Sequence, residues 1–160
     1  RHDEKQKRLT RIIDAVEHLK GNTKQNFRVI FIGDGPDIEK YQKIIEDKKL
    51  ENEIILLGRK KNPYPYLKMA DCVILTSDYE GYPVVFVESM TLNKPIITTK
   101  VSGTESIEKE GYGLITDKNA ESIADAMQNF ITNGFEIKEK FDSEKYNCKI
   151  IEKLEEIIEN

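Results

Sequence analysis

The chain has 160 residues, which suits one compact domain that folds around its own hydrophobic core without disulfides or structural metal. Its 25 basic and 29 acidic residues nearly cancel, and the net charge of −4 argues against a nucleic-acid surface. No apolar run approaches the roughly 20 residues that span a bilayer, and the opening RHDEKQKR does not resemble a signal peptide. Two cysteines far apart predict reduced thiols in a cytosolic protein.

The first half of the chain alternates predicted helices and strands. Helical spacing of apolar residues predicts an amphipathic helix over residues 6–20, closed by Gly21. The run FRVIFI predicts a buried strand over residues 27–32 that ends at the turn GDGP, and a helix follows over residues 36–50. The run EIILL predicts a strand over residues 53–57, after which the loop RKKNPYPY leads into a short helix, YLKMA.

The second half continues the alternation. Apolar runs predict strands over residues 71–76, 94–99 and 113–116. Between the first two of these, the run VVFV is rich in β-branched residues but begins after Pro83, which favours the first position of a helix. We therefore expect a crossover helix there, a further helix over residues 119–131, and a helical tail.

Strands that alternate with helices at this spacing predict an α/β domain with a doubly wound, Rossmann-like parallel sheet and helices on both faces. The strands are continuous apolar runs, as burial on two sides requires. Such a domain usually begins with a strand, whereas the first element predicted here is a helix. We expect the chain to be a piece of a longer protein, with Arg1 directly behind a strand that precedes it.

In open parallel sheets, ligands bind beyond the carboxyl ends of the strands. The candidate loops are RHDEKQK, GDGP, GRKKNPY, SDYEGYP, TKVSGTE and TDKN. GDGP does not match a dinucleotide fingerprint because Ile38 takes the place of the third glycine, and the chain has no phosphate loop that ends in Gly-Lys-Ser/Thr. GDGP is therefore interpreted as a tight turn between a strand and a helix.

The stretch SDYEGYPVVFVES, residues 77–89, is the most informative of these loops. A helix that starts at Pro83 would leave free backbone amides around its first turn, and with the helix dipole they would form an anion site. The amides in question are those of Gly81, Tyr82, Val84 and Val85.

Two carboxylates flank this predicted anion site. Glu80 would lie at the loop tip, and Glu88 would lie between one and two turns into the helix. Carboxylates next to a phosphate site are suited to accept hydrogen bonds from hydroxyls, such as those of a ribose or a hexose.

This arrangement resembles the retaining GT-B glycosyltransferases of group 1, also called family 4. Their donor domain carries two glutamates with seven residues between them, usually in a stretch such as EGFGLVLLEAMAxGxPVV, and the text here is EGYPVVFVESMTLNKPII. The resemblance covers almost the whole chain, in order: VIFIGDGP, IILLGRK, YPYLKMADCVILTSDYEG, VSGTESI, GYGLIT and the tail FDSEKYNCKIIEKLEE. VSGTESI and GYGLIT match two later loops of the family.

The resemblance implies a role for each candidate site residue. It implies that Glu80 contacts the donor sugar near the reacting centre and that Glu88 binds the ribose hydroxyls. Arg1 and Lys7, six residues apart, match an arginine and a lysine that neutralise the donor diphosphate. Arg59, with the two lysines after it, borders the base pocket.

The amides after Gly81 would bind the distal phosphate. Pro83 departs from the family, which often has glycine there, and proline cannot donate a hydrogen bond. His2 is expected to be an exposed terminal residue. No Asp-x-Asp pair and no His/Cys cluster with metal spacing is present, in agreement with a family that uses basic residues and helix dipoles in place of a metal.

By resemblance, the chain is the donor-binding C-terminal domain of a cytoplasmic hexosyltransferase-type enzyme, with a nucleotide sugar such as a UDP- or GDP-sugar as substrate and no separate cofactor. An N-terminal domain absent from this chain would bind the acceptor, a glycan or a lipid-linked sugar in cell-surface polysaccharide or glycoconjugate synthesis. Full-length relatives often touch the inner face of the cell membrane, although no basic amphipathic helix here indicates such contact. The fragment alone is expected to transfer nothing.

Two alternatives remain at this level. A non-hydrolysing epimerase of GT-B shape would need carboxylates and a histidine placed for acid–base work, which we do not find. The other alternative is a non-catalytic α/β binding or receiver-type domain. A receiver needs an acidic cluster and a phosphoacceptor aspartate, and SDYE offers only Asp78. Nucleotide titration separates a receiver from the first interpretation, because a receiver would not bind UDP or GDP.

Overall fold

The computed structural model describes residues 4–81, 84–138, 140–144 and 146–148. The helices are α1 Glu4–Lys7, α2 Leu9–Asn22, α3 Ile38–Asp47, α4 Tyr64–Met69, α5 Val84–Thr91, α6 Thr104–Lys109 and α7 Ala120–Asn133. The strands are β1 Val29–Ile32, β2 Ile54–Gly58, β3 Val73–Leu75, β4 Ile96–Thr99 and β5 Gly113–Thr116. Each predicted strand is present, and most are shorter than the apolar run that predicted them.

All strand pairs are parallel, as predicted. In the described residues they form two sheets, one with the order β1-β2 and one with the order β3-β4-β5. Helix α1 forms hydrogen bonds with loops at the carboxyl ends of both sheets. The Glu4 amide donates to Asp37 after β1, at 3.0 Å, and the Asp78 amide after β3 donates to the carbonyl of Gln6, at 2.9 Å. The loops after β1 and β3 therefore lie on either side of α1.

Helices cover both faces of the sheets, which confirms the predicted layering. Strand β4 shows this within two adjacent residues, because Ile96 and Ile97 point to opposite faces and both are buried. Ile97 belongs to a core built mainly with α2 and α7, which also contains Val29 and Phe31 of the other sheet. Ile96 belongs to a second core with residues of α5 and α6. The two sheets thus share one core under α2 and α7.

The predicted helix over residues 6–20 is interrupted. Arg8 adopts a left-handed backbone conformation, φ 50°, so α1 ends at Lys7 and α2 begins at Leu9. Tertiary contacts hold this conformation, because the hydroxyl of buried Thr76 lies 3.1 Å from the carbonyl oxygens of both Lys7 and Arg8. A non-glycine residue in this region costs of order 1–3 kcal/mol.

Helix α6 was not predicted, because the stretch over residues 101–107 was assigned to a loop. The Thr104 hydroxyl donates to the carbonyl of Val101, at 2.8 Å, and Ile107 is fully buried, so this helix depends on packing. Helix α7 begins as predicted, with the Asn119 side chain accepting from the Ser122 amide at 2.8 Å. The predicted tail helix lies mostly outside the described residues.

Close approach of β4 and β5 explains one glycine. A Cβ atom on Gly113 would lie 1.9 Å from the carbonyl oxygen of Ile96, its partner in the sheet register. Only glycine fits there without a shift of the backbone. Within the part of the chain that is described, no helix is both long and apolar enough to span a bilayer.

Candidate functional site

The carboxyl ends of the strands carry the predicted loops, and Glu80 is held firmly there. Its carboxylate accepts from the Lys7 ammonium at 2.5 Å, from the Ser77 hydroxyl at 2.6 Å and from the Gln6 amide at 3.4 Å. The side chain of Glu80 is only 9% exposed and that of Lys7 is 27% exposed. Two residues that the sequence predicted to bind one ligand therefore form an ion pair in the ligand-free chain.

Asp78 anchors the same loop to helix α2. Its carboxylate pairs with Arg8 Nε at 2.5 Å and with Arg11 Nη2 at 2.7 Å, and Arg11 also donates to the carbonyl of Thr76 at 3.1 Å. The hydrogen bond from Arg8, followed by that from Arg11, lowers the pKa of Asp78 below its usual value against the effect of burial. Lys118, after β5, donates to the Asp78 carbonyl at 2.5 Å.

No sequence pattern assigns a role in the candidate site to Asp78, Arg8, Arg11 or Thr76. A partial signal was present, because Arg8 and Arg11 are three residues apart and would share a face of the helix predicted over residues 6–20. That spacing indicates a common partner but does not identify it. The partner becomes clear only where the loop after β3 meets the junction of α1 and α2.

Glu88 lies on α5, and its hydrogen-bond partner is not one of the residues that contact Glu80. Its carboxylate accepts from the hydroxyl of Tyr64 at 2.9 Å, and Tyr64 begins α4 after the loop that follows β2. This hydrogen bond raises the pKa of the Tyr64 phenol. Buried Phe86 and Met90 attach α5 to the second core, so Glu88 stands on a packed helix. Tyr64 is not among the predicted site residues, although it belongs to the candidate loop GRKKNPY.

Helix α5 begins at Val84, so the Val84 and Val85 amides lie in its first turn, where helix geometry supplies no acceptor. Val84 is 69% exposed and Gly81 is exposed. Tyr82 and Pro83, between them, lie outside the described residues, as do Arg1 and His2, so the predicted roles of Arg1 and Tyr82 stay predictions. An anion at this helix end would meet free amides and a positive dipole end.

Arg59 directly follows β2, at the start of the loop that leads to α4. Gly58, with φ 66°, turns the chain out of the strand, and Arg59, Lys60 and Lys61 line a cavity of about 590 Å³. Arg59 and Lys61 are exposed, which leaves their charges available to a ligand. Within the described ranges, no group of three or more His, Cys, Asp or Glu residues is placed to hold a metal ion.

Comparisons with known proteins identify the family of this chain. The family described as "Glycosyl transferases group 1" matches residues 1–147. An uncharacterized glycosyltransferase of Methanocaldococcus jannaschii is 32% identical over 154 residues, which cover 88% of this chain and 42% of the relative. The poly(ribitol-phosphate) alpha-N-acetylglucosaminyltransferase of Staphylococcus aureus is 31% identical over 132 residues, which cover 79% of this chain and 26% of the relative.

The fold is also found in solved structures. Anabaena HepE, solved in complex with UDP and glucose, matches with a TM-score of 0.78 and 23% identity, covering 98% of this chain and 46% of that one. At this identity the likeness shows the fold alone, and that fold is GT-B. This chain spans less than half the length of the curated relatives it matches. Since the family match runs from residue 1 to residue 147, the chain belongs to the group 1 glycosyltransferases.

Proposed function

We propose that this chain is the donor-binding domain of a retaining, family 4 glycosyltransferase that transfers a sugar from a nucleotide sugar to an acceptor hydroxyl. The observation that carries the proposal is the ion pair between Lys7 and Glu80, at 2.5 Å. Lys7 is the last residue of α1, and Glu80 lies in the loop that leads to the amino end of α5. A cation, a carboxylate and free helix amides are the groups that a sugar diphosphate requires.

The donor diphosphate would replace Glu80 as the partner of Lys7. Lys7 is 27% exposed on a flexible side chain, and a diphosphate carries more negative charge than one carboxylate. The amides of Gly81, Tyr82, Val84 and Val85 would bind the distal phosphate, and Arg1 would add a second cation. This arrangement places positive charge where negative charge develops as the diphosphate leaves.

Glu80 would remain in place after Lys7 turns away, because Ser77 and Gln6 still donate to it. Ser77 is fully buried, so this support does not depend on solvent-exposed side chains. The freed side of the carboxylate would accept hydrogen bonds from donor-sugar hydroxyls near the anomeric carbon. Glu88 would accept those of the ribose, and Arg59 would border the base.

The reaction proposed is same-face substitution at the anomeric carbon. The bond from that carbon to the diphosphate oxygen breaks, and a bond to the acceptor oxygen forms on the same face, so the configuration is retained. The acceptor hydroxyl proton goes to the departing phosphate oxygen. No residue of this chain serves as a covalent nucleophile, and the chain's part is to bind, orient and stabilise charge.

The acceptor would bind to an N-terminal domain outside this chain. The name of the S. aureus relative, which refers to poly(ribitol-phosphate), supports an acceptor in cell-surface polymer or glycoconjugate synthesis. We accordingly propose a cytoplasmic enzyme, working at the inner face of the membrane, with the nucleotide sugar as substrate and no separate metal or cofactor. The chain alone should bind nucleotide weakly and transfer nothing, and transfer by the purified chain would refute this.

The test is calorimetric titration with UDP, GDP and ADP, on the wild type and on Glu88→Ala. We expect selective binding of one nucleotide, and binding of UDP by HepE makes UDP the first to try. Loss of a ribose contact should weaken binding by about 3- to 10-fold. Equal binding of all three nucleotides would contradict selection of the base, and binding unaffected by Glu88→Ala would contradict the proposed role of Glu88. Absence of binding by this chain and by a longer one with the upstream sequence would contradict the function.

A further inference from the structure

Tyr64 connects two parts of the candidate site that are separate in sequence. Its hydroxyl donates to Glu88 Oε1 at 2.9 Å, across 24 positions of the chain. The residue is 50% exposed, so its hydroxyl is engaged while much of the ring remains open to a ligand. Most exposed tyrosines need no partner beyond water, and this one is directed at the carboxylate assigned to the ribose.

The backbone around Tyr64 is restrained. Its amide donates to the Asn62 side chain at 3.1 Å, and Pro63 and Pro65 stand on either side of it. Proline restricts φ, and the carbonyl of Pro63 accepts from Tyr66 and from Leu67, each at 3.1 Å. The phenol therefore reaches Glu88 from a stiff segment, and the bond limits the side-chain conformations open to Glu88.

The chemistry of the pair suits a sugar diol. An ionised carboxylate offers about four lone-pair sites on two oxygens, so a bond from Tyr64 to Oε1 leaves Oε2 free to accept from hydroxyls. The hydrogen bond and the charge of Glu88 raise the pKa of the phenol, so Tyr64 remains a donor at neutral pH. The exposed ring also offers an apolar surface to a nucleoside, and Tyr64 follows the cavity residues Arg59–Lys61 closely in sequence.

We propose that Tyr64 is a positioning residue that holds Glu88 in the orientation that accepts the ribose hydroxyls, and that it thereby contributes to selection of ribonucleotides over deoxynucleotides. The inference rests on the proposed function, because it requires a nucleotide at Glu88. It adds a residue and a selectivity that neither the family match nor the relatives' names assign. Tyr64 acts through Glu88, so its removal should matter only for ligands that carry the hydroxyls.

The experiment compares Tyr64→Phe with the wild type, using the best-bound of UDP, GDP and ADP and the 2′,3′-dideoxy form of the same nucleotide. The phenylalanine keeps the ring and deletes the donor. We expect ribonucleotide affinity to fall about 3- to 10-fold while dideoxynucleotide affinity is unchanged. Tyr66→Phe is the matched control, because Tyr66 lies in the same helix but lines the cleft beside β1 and β3, and it should change neither affinity.

A double-mutant cycle with Glu88→Gln completes the test. The effects of Tyr64→Phe and Glu88→Gln should be non-additive for the ribonucleotide and additive for the dideoxy form. Equal weakening of both ligands by Tyr64→Phe, or no weakening of either, would overturn the inference. If the wild type binds and depends on Glu88 while Tyr64→Phe has no effect, only this inference fails. If nothing binds even with the upstream sequence restored, the proposed function fails with it.

Discussion

The two edges of the sheets use charge in different ways. At the amino edge, Lys20 at the end of α2 pairs with Glu53 before β2 at 3.0 Å, with side chains 42% and 17% exposed. At the carboxyl edge, Lys7 pairs with Glu80 at 2.5 Å, with side chains 27% and 9% exposed, next to Asp78 and its two arginines.

The two edges differ in how far their charges are shielded from water. The exposed Lys20–Glu53 pair is screened by water and is expected to contribute little. The carboxyl edge concentrates several charges behind partial burial. Charges that are partly shielded from water at one place are typical of a site that binds a ligand.

The largest loss of stability should come from a substitution that disrupts strand packing at the amino edge. Gly113→Ala would place a methyl group 1.9 Å from the Ile96 carbonyl oxygen, where the backbone must move. We expect a loss of about 3 kcal/mol in the free energy of unfolding, measured by urea denaturation.

The same variant separates stability from binding. At temperatures where Gly113→Ala is folded, its nucleotide affinity should match that of the wild type, because Gly113 is at the start of β5 and the candidate site is at the carboxyl ends. Stability that matches the wild type would show that β4 and β5 are not as close as described. Gly21→Ala is the matched control, because a Cβ at Gly21 meets no atom within 4 Å.

The second prediction compares the two lysines directly. Lys7→Met should lower nucleotide diphosphate affinity about 10- to 100-fold, because a charge-assisted contact to phosphate is lost. Lys20→Met should leave the affinity unchanged. The measurement is calorimetric titration at fixed ionic strength, since screening weakens such contacts. An equal response of the two variants would remove the distinction between the edges.

The third prediction concerns Asp78. Asp78→Asn removes the charge between Arg8 and Arg11 and should lower the free energy of unfolding by about 1–3 kcal/mol, measured by urea denaturation. Glu53→Gln, which weakens the exposed pair at the amino edge, should cost less than about 1 kcal/mol. A larger loss for Glu53→Gln than for Asp78→Asn would contradict the proposed distinction.

The lowered pKa of Asp78 determines how its contribution to stability changes with pH. The hydrogen bond from Arg8, with that from Arg11, lowers the pKa of Asp78 in the folded chain. Its stabilising contribution is therefore complete above the unfolded-state pKa of about 3.9, and it is lost as the pH falls through the lower folded-state pKa. The stability gap between wild type and Asp78→Asn should be constant near neutral pH and narrow only below about pH 4.

Cys72 and Cys148 show that the number of cysteines does not predict the reactivity of each thiol. Both thiols are free. The sequence distinguishes them only by neighbouring residues. In the fold, burial raises the pKa of the Cys72 thiol to about 12, so it is protonated and a poor nucleophile, whereas Cys148 is exposed.

Much of the fold was predictable because apolar runs and helical spacing report local conformation directly. The run VVFV was assigned correctly to a helix, since its place between two strands outweighed the β propensity of valine. The same reasoning failed at Arg8 and at α6. In both places the deciding contacts come from elsewhere: the Thr76 hydroxyl at Arg8, and burial of Ile107 in the second core at α6.

By itself, the sequence determined the α/β class, the parallel strands and the segments that bring Lys7, Glu80 and Glu88 to the carboxyl ends, because periodicity and chain order are local properties. Only the tertiary structure decided which charges meet. It pairs Lys7 with Glu80, encloses Asp78 between Arg8 and Arg11, and sets Tyr64 against Glu88. Such contacts join residues tens of positions apart, and they depend on how the packed helices and strands orient each side chain in space.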